Sequence, residues 1–175
     1  MGTTSQRKLN KALMASLKLG HLDQAETLLQ TSADVNRQHR LTISAINCPA
    51  LVAIERDDVK MLELLIKYGL DINKPIKYKN YHMPPIMMCI KLQKDRSLKL
   101  LAENTDIDMS VGGKAVIIKT LIGENLSWSF SSVSAYARLS TKGKSQNIMN
   151  EAQLVREQKI YKIKQQQIRK SKFEF

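Results

Sequence analysis

The sequence is poor in the residues that staple, anchor or interrupt a chain. It has two cysteines, Cys48 and Cys89, each inside an apolar segment. That excludes a disulfide framework and suits small buried thiols in a reducing compartment. No apolar run approaches the length needed to cross a bilayer, so no transmembrane span is expected. The opening "MGTTSQRKLN" has no apolar segment behind its charges, so no secretory leader is expected, and Gln6 stands where a myristoylation motif wants Ser or Thr. From these absences an intracellular location is expected, in cytoplasm, nucleus or both.

Acidic residues are the other shortage, at 16 against 28 Lys and Arg, for a net charge of +12. The imbalance is local. Residues 138–175 carry 10 basic and 3 acidic residues, whereas the first 137 carry 18 and 13. The tail is the basic element. With 43% hydrophobic residues over 175 positions, the rest is sufficient for one domain with a substantial core.

What the sequence does have is internal repetition. Residues 20–36, "GHLDQAETLLQTSADVN", and 57–73, "DDVKMLELLIKYGLDIN", match at a shift of 37. Glu26 falls on Glu63, Leu28 on Leu65, Asp34 on Asp71 and Asn36 on Asn73, and Leu22, Ala25, Leu29 and Val35 fall on Val59, Leu62, Ile66 and Ile72. The helix positions recur on one face. A third copy, "KDRSLKLLAENTDID", places Leu98 and Leu101 on that face and puts Asp106-Ile107-Asp108 at the closing turn. Each copy has an upstream helix: "KALMASLKLG", "CPALVAIERD" with Pro49 at its start, and "PPIMMCIKLQ" after Pro84 and Pro85. One upstream position stays small, at Ser16, Ala53 and Cys89, where two helices must approach closely. Gly20 and Gly69 suit left-handed helix ends.

These features, with the Gly-His-Leu and Ala-Asp-Val-Asn signatures, resemble the ankyrin repeat over residues 8 to 108. The resemblance implies an all-α, ankyrin-repeat solenoid with three clear helix-turn-helix repeats at about 8–44, 45–80 and 81–110. A degenerate fourth repeat or cap would occupy 111–140, with a linker over 141–147 and a basic helical tail over 148–175. In the fourth copy the helices are placed near 114–122 and 131–139, with Trp128, Phe130 and Tyr136 covering the stack; an irregular loop is the alternative. Departures from the pattern include fingers longer than the family unit, Asp57 in place of a glycine, and Asp95 where an apolar residue belongs.

Catalytic and metal-ligating patterns are not assembled. His21, His39 and His82 have no ligand spacing with cysteine or with one another. "SVGGKAV" fails as a phosphate loop, since Asp108 replaces the first glycine and Ala115 follows Lys114. No cofactor, metal or enzymatic activity is expected.

Two segments are candidates for meeting a partner. The second finger, "KPIKYKNYH", interleaves lysines with tyrosines, and the first, "RQHRLTISAIN", adds Arg37 and Arg40. Since the resemblance makes fingers and inner helices the expected binding face, the candidate contacts are Arg37, Arg40, Lys77, Tyr78, Lys79 and Tyr81. The expected partner is another protein with an acidic or phosphorylated segment. A solvated loop whose tyrosines fold back on neighbouring helices is the alternative. In the tail, Ile148, Ala152, Val155, Ile160, Ile163 and Ile168 approximate a helical stripe. Such a helix docks on the repeats, binds a partner helix, approaches nucleic acid or anionic lipid, or stays solvated. A tail-borne nucleic-acid or membrane-surface binder is therefore the competing function.

Overall fold

The computed structural model describes residues 4–40, 46–78, 81–110, 113–118, 125–130, 133, 137 and 144–171, with backbone alone for 39–40, 46–47, 113–118, 125–130 and 169–171. The chain is mostly helical. Three helix pairs follow in order: α1 (Thr4–Leu19) with α2 (Leu22–Gln30), α3 (Pro49–Arg56) with α4 (Val59–Lys67), and α5 (Pro85–Leu92) with α6 (Asp95–Ala102). A long helix, α7 (Lys144–Ser171), closes the chain.

The pairs form because each first helix ends in the same way. Gly20, Asp57 and Gln93 take left-handed φ values of 81°, 51° and 55°. The next N–H then reaches back across the end, from His21 to Ser16, from Asp58 to Ala53 and from Lys94 to Cys89, at 2.9, 3.1 and 2.9 Å. Ser16, Ala53 and Cys89 are all buried, so the small residues lie where α1, α3 and α5 pack side by side. The second helices bury Ala25, Leu62 and Leu98 on the same face. Pro49 and Pro85 open α3 and α5 as expected, at positions where a missing N–H is harmless.

The closing turns form a ladder with a period of 37 residues. The Asn36 amide donates to the Gly69 carbonyl and accepts the Asp71 N–H, both at 2.8 Å. Asn73 repeats both bonds to Asp106 and Asp108, again at 2.8 Å. Within each turn, Asp34, Asp71 and Asp108 accept the N–H two residues on. The first rung has no preceding turn among the described residues, and α1 supplies it instead: Gln6 donates to the Ser32 carbonyl and Asn10 accepts the Asp34 N–H, both at 2.8 Å. Asn10 is consequently buried with its acceptor satisfied.

This ladder corrects the expected third turn. Asp108-Met109-Ser110, not Asp106-Ile107-Asp108, occupies the place of Asp34-Val35-Asn36 and Asp71-Ile72-Asn73. The helix ends explain the displacement. Ser32 and Gly69 turn left-handed at φ 73° and 84°, but no described residue after α6 does so. The third unit inserts one residue instead, held by Asn104, which accepts the Asp106 N–H at 2.9 Å. Asp95, which departs from the apolar pattern, is the first residue of α6, where a carboxylate suits the positive end of the helix.

The fingers are β-structured, which the sequence reading did not anticipate. β1 (His39–Arg40) pairs with β2 (Ile46–Asn47). β3 (Ile76–Tyr78), β4 (Tyr81–Met83), β5 (Gly113–Ile118) and β6 (Asn125–Phe130) form an antiparallel sheet in that order. The helix expected near 114–122 is therefore a strand over 113–118. Its run of Val116, Ile117 and Ile118 is β-branched, and β4 offers it an edge, with Tyr81 opposite Ala115 and His82 opposite Lys114. In the segment expected to be helical near 131–139, the described residues Val133 and Ala137 are helical and buried. The side chains of Trp128 and Phe130, and all of Tyr136, lie outside the described residues.

α7 begins at Lys144, inside the stretch expected to be a linker. Its first half packs on α6, burying Ser145, Met149 and Ala152 with Ile148 half-buried. Lys144 pairs with Asp95, and Lys159 pairs with the Glu103 carboxylate at 3.5 Å. Among the described residues no helix is long and apolar enough to cross a membrane.

Candidate interaction surface

The finger bases are set by the ladder and tied to one another, since Gln38 on the first donates to the Pro75 carbonyl on the second at 3.0 Å. Between them lies a groove of about 430 Å3, lined by Asp34, Asn36, Arg37, Gln38, Lys74, Pro75 and His82. Arg37, Lys74 and His82 are exposed there, and Lys77 is exposed directly across the strand pair from His82. Asp34, the acidic residue of the lining, has its carboxylate engaged with the Asn36 N–H at 2.9 Å. The rim is thus rich in cationic and N–H-donating groups, a lining suited to carboxylates or phosphates.

The structure divides the six residues singled out from sequence. Alternation along β3 and β4 sends Ile76 and Met83 into the core, and Lys77 and His82 outward. Tyr78 and Tyr81 face each other across the strands on the core side, both half-buried against the hydrophobic cluster. Lys91 from α5 sits over the Tyr81 ring, 4.7 Å from its centre. The tyrosines and Lys77 therefore occupy opposite faces and do not form one continuous patch. Arg37 and Lys77 are exposed on the groove side or beside it. Arg40 lies in β1 with its side chain outside the described residues, and Lys79 lies outside them altogether.

Lys74 and His82 are the residues that sequence reasoning left out of the set. His82 drew notice only as an unsupported metal ligand. Its place in the groove follows from pairing with Lys77, and the signal for that register is the two-residue separation in sequence between two three-residue strands.

Elsewhere, Cys48 and Cys89 are free and buried. Burial pushes the Cys48 thiol up to about 11 and the Cys89 thiol higher still. Among the described residues no group of His, Cys, Asp and Glu is placed to hold a metal ion. A second open groove is lined by Arg56, Asp57, Asp58, Lys60 and Arg96 at the loops joining the helix pairs. There the Asp58 carboxylate is already committed to the Met61 N–H at 3.0 Å. Nothing in that lining singles out an acid–base pair.

No protein-family model matches the chain, and no curated protein shows significant similarity to it.

Proposed function

We propose that this chain is a non-enzymatic protein-interaction module: an ankyrin-like repeat solenoid that holds an acidic or phosphorylated segment of another protein against its fingers and inner helices. The observation that carries the proposal is the groove in which Arg37, Lys74 and His82 meet between two finger bases. Its support is rigid, because Asn36 and Asn73 fix successive turns at identical hydrogen-bond lengths. A preformed cationic groove on a braced scaffold lowers the ordering cost of capturing an extended acidic segment. The repeat architecture and the local chemistry of the groove together support a binding role.

The test compares the intact chain with an Arg37→Glu/Lys74→Glu/Lys77→Glu variant in capture of partners from lysate, with thermal unfolding of both recorded in parallel. The expected result is loss of the partners at an unchanged melting temperature. Partners retained by the triple variant would remove the groove from recognition. A capture abolished by nuclease treatment would favour the competing nucleic-acid function, which would also show a steep fall in affinity with salt.

A further inference from the structure

The second half of α7 leaves the body of the protein. Every residue from Tyr161 to Ile168 is exposed, although the helix continues to Ser171. Four large apolar side chains on this helix meet water: Leu154 at 62%, Tyr161 at 65%, Ile163 at 45% and Ile168 at 49% exposure. Leu154, Tyr161 and Ile168 are spaced by sevens, while Ile163 lies about 200° on from Tyr161, in line with the docked side but beyond the body. Seven residues fall about 20° short of two full turns, so the three lie within about 40° of one another in a single narrow line.

That line is on the outward side. Ser145, Met149 and Ala152, the residues buried against α6, define the docked side. Leu154 follows Ala152 by two residues, about 200° around the helix. The docking of α7 on α6 therefore uses one face of the helix and leaves the heptad-spaced face unburied.

The geometry points to this face as a second docking site, which takes an acidic amphipathic helix of a partner protein in a coiled-coil-like seam. Three considerations select that occupant. A membrane-seated helix needs a broad apolar face on one side, whereas Leu154, Tyr161 and Ile168 form a narrow line that supplies one of the two apolar positions per heptad of a helix-pairing seam, with Ile163 on the opposite side. A second copy of the chain is opposed by charge, since residues 156–168 hold Arg156, Lys159, Lys162 and Lys164 against Glu157 alone. With Lys159 held by Glu103, Lys162 and Lys164 remain exposed near Tyr161, where a partner's carboxylates at flanking positions would meet them. Nucleic acid would answer the charge but would gain nothing from three apolar side chains in line.

The test uses the full chain with a fluorescent acidic peptide of about four heptads, Leu at a and d and Glu at e and g. A scrambled peptide of the same composition, phosphatidylserine vesicles and a short DNA duplex are the other arms. Two variants are compared, Leu154→Ser/Tyr161→Ser and Lys162→Glu/Lys164→Glu, with circular dichroism confirming an unchanged helix content. The expected outcome is binding of the heptad peptide, weakened about tenfold or more in each variant and for the scrambled peptide, equivalent to about 1.4 kcal/mol or more. Equal affinity for the scrambled peptide, or binding unaffected by Leu154→Ser/Tyr161→Ser, overturns the proposal. So does preferential binding of the vesicles or the duplex, or self-association of the chain that the apolar variant abolishes.

Discussion

The carboxylate of Asp57, at the end of α3, accepts two hydrogen bonds from Ser97 in α6, from its N–H at 2.8 Å and its hydroxyl at 2.7 Å. Ser97 is the third residue of a helix whose own N-cap, Lys94, has no capping side chain. The second unit therefore caps a helix of the third, as Asp58 caps α4 within its own unit. Burial raises the Asp57 pKa, but the Ser97 hydroxyl and backbone bonds outweigh it and hold the carboxyl below its usual range.

Asp57 also sits at φ 51°, so its substitutions separate two costs. Asp57→Ala should lose the cap, about 1–3 kcal/mol, and keep a left-handed non-glycine residue. Asp57→Gly loses the same cap but relieves the backbone, and should be the more stable of the two by about 1 kcal/mol. With its folded pKa depressed, Asp57 contributes stability fully above its unfolded pKa of about 3.9, and this is lost as pH falls through the folded value. Denaturant midpoints of wild type and Asp57→Asn should therefore converge on acidification. A gap that stays constant down to pH 2 would sink the argument.

The asparagine ladder predicts an ordering among substitutions. Asn36→Ala and Asn73→Ala each remove two solvent-exposed hydrogen bonds, one to a backbone carbonyl and one from an N–H, at an expected cost of about 1–2 kcal/mol. Asn36→Asp keeps the acceptor for the Asp71 N–H but sets a carboxylate against the Gly69 carbonyl, so it should not rescue. Gln6→Ala should cost less than either, because it removes one bond of the ladder, to the Ser32 carbonyl, where each asparagine removes two. Chemical denaturation of the four variants measures the order.

Leu65 is fully buried in the central pair, and Leu65→Ala should cost about 2–5 kcal/mol. Leu28, its counterpart in the first pair, is only half-buried, with Leu29 lying deeper. Among the described residues no helix pair precedes the first, so this position has a neighbouring pair on one side only. Leu28→Ala should cost less than half as much, and equal losses in thermal denaturation would contradict this account.

The helix pairs were legible because their signals are local: a recurring apolar face, a small residue at Ser16, Ala53 and Cys89, and turn residues at Asp34 and Asp71. What escaped depends on distant partners. β5 is a strand because β4 lies beside it, more than thirty residues earlier in the chain. The third turn shifted by two residues because Asn73 selects Asp108 from another unit. Gln6 and Asn10 carry no local signal of their role, because the Ser32 carbonyl and Asp34 N–H that they serve lie more than twenty residues away. The partition of Lys77 from Tyr78 was present in the two-residue period of the finger, but only with the finger read as a strand. Of the expected linker, residues 144–147 are helical instead, because they are helix-compatible and α6 supplies the packing that stabilises them, while residues 141–143 lie outside the described residues.

The two thiols give a probe of opening. Burial raises the Cys48 pKa to about 11, so its neutral form favours the folded state below the unfolded thiol pKa of about 8.5. That contribution declines as pH rises from there through about 11. At pH 8 both cysteines should resist alkylation in the native protein and react only on unfolding, with Cys89, entirely buried in α5, the slower. Labelling of Cys89 at the rate of a free thiol under native conditions would show that the central pairs open independently.

The fingers supply the last prediction, and here the structure reassigns one residue. On sequence alone, Tyr78 is a candidate partner contact, with tyrosines folded back on neighbouring helices as the alternative. Half-buried and facing Tyr81 on the core side, it should instead act through stability, with Tyr78→Ala lowering the melting temperature and costing about 1–3 kcal/mol. Lys77, outward and opposite His82, should behave in the reverse way. Lys77→Glu should leave the melting temperature within a degree or two, yet slow association with an acidic partner, most visibly at low salt where screening is weak. His82→Glu should add to that effect, because the two residues are direct cross-strand neighbours on the same exposed face. Stopped-flow association read beside thermal unfolding separates the two roles. If Tyr78→Ala left stability untouched while raising the dissociation rate, the tyrosines would belong to the binding surface after all, and the core-side assignment of β3 and β4 would have to be abandoned.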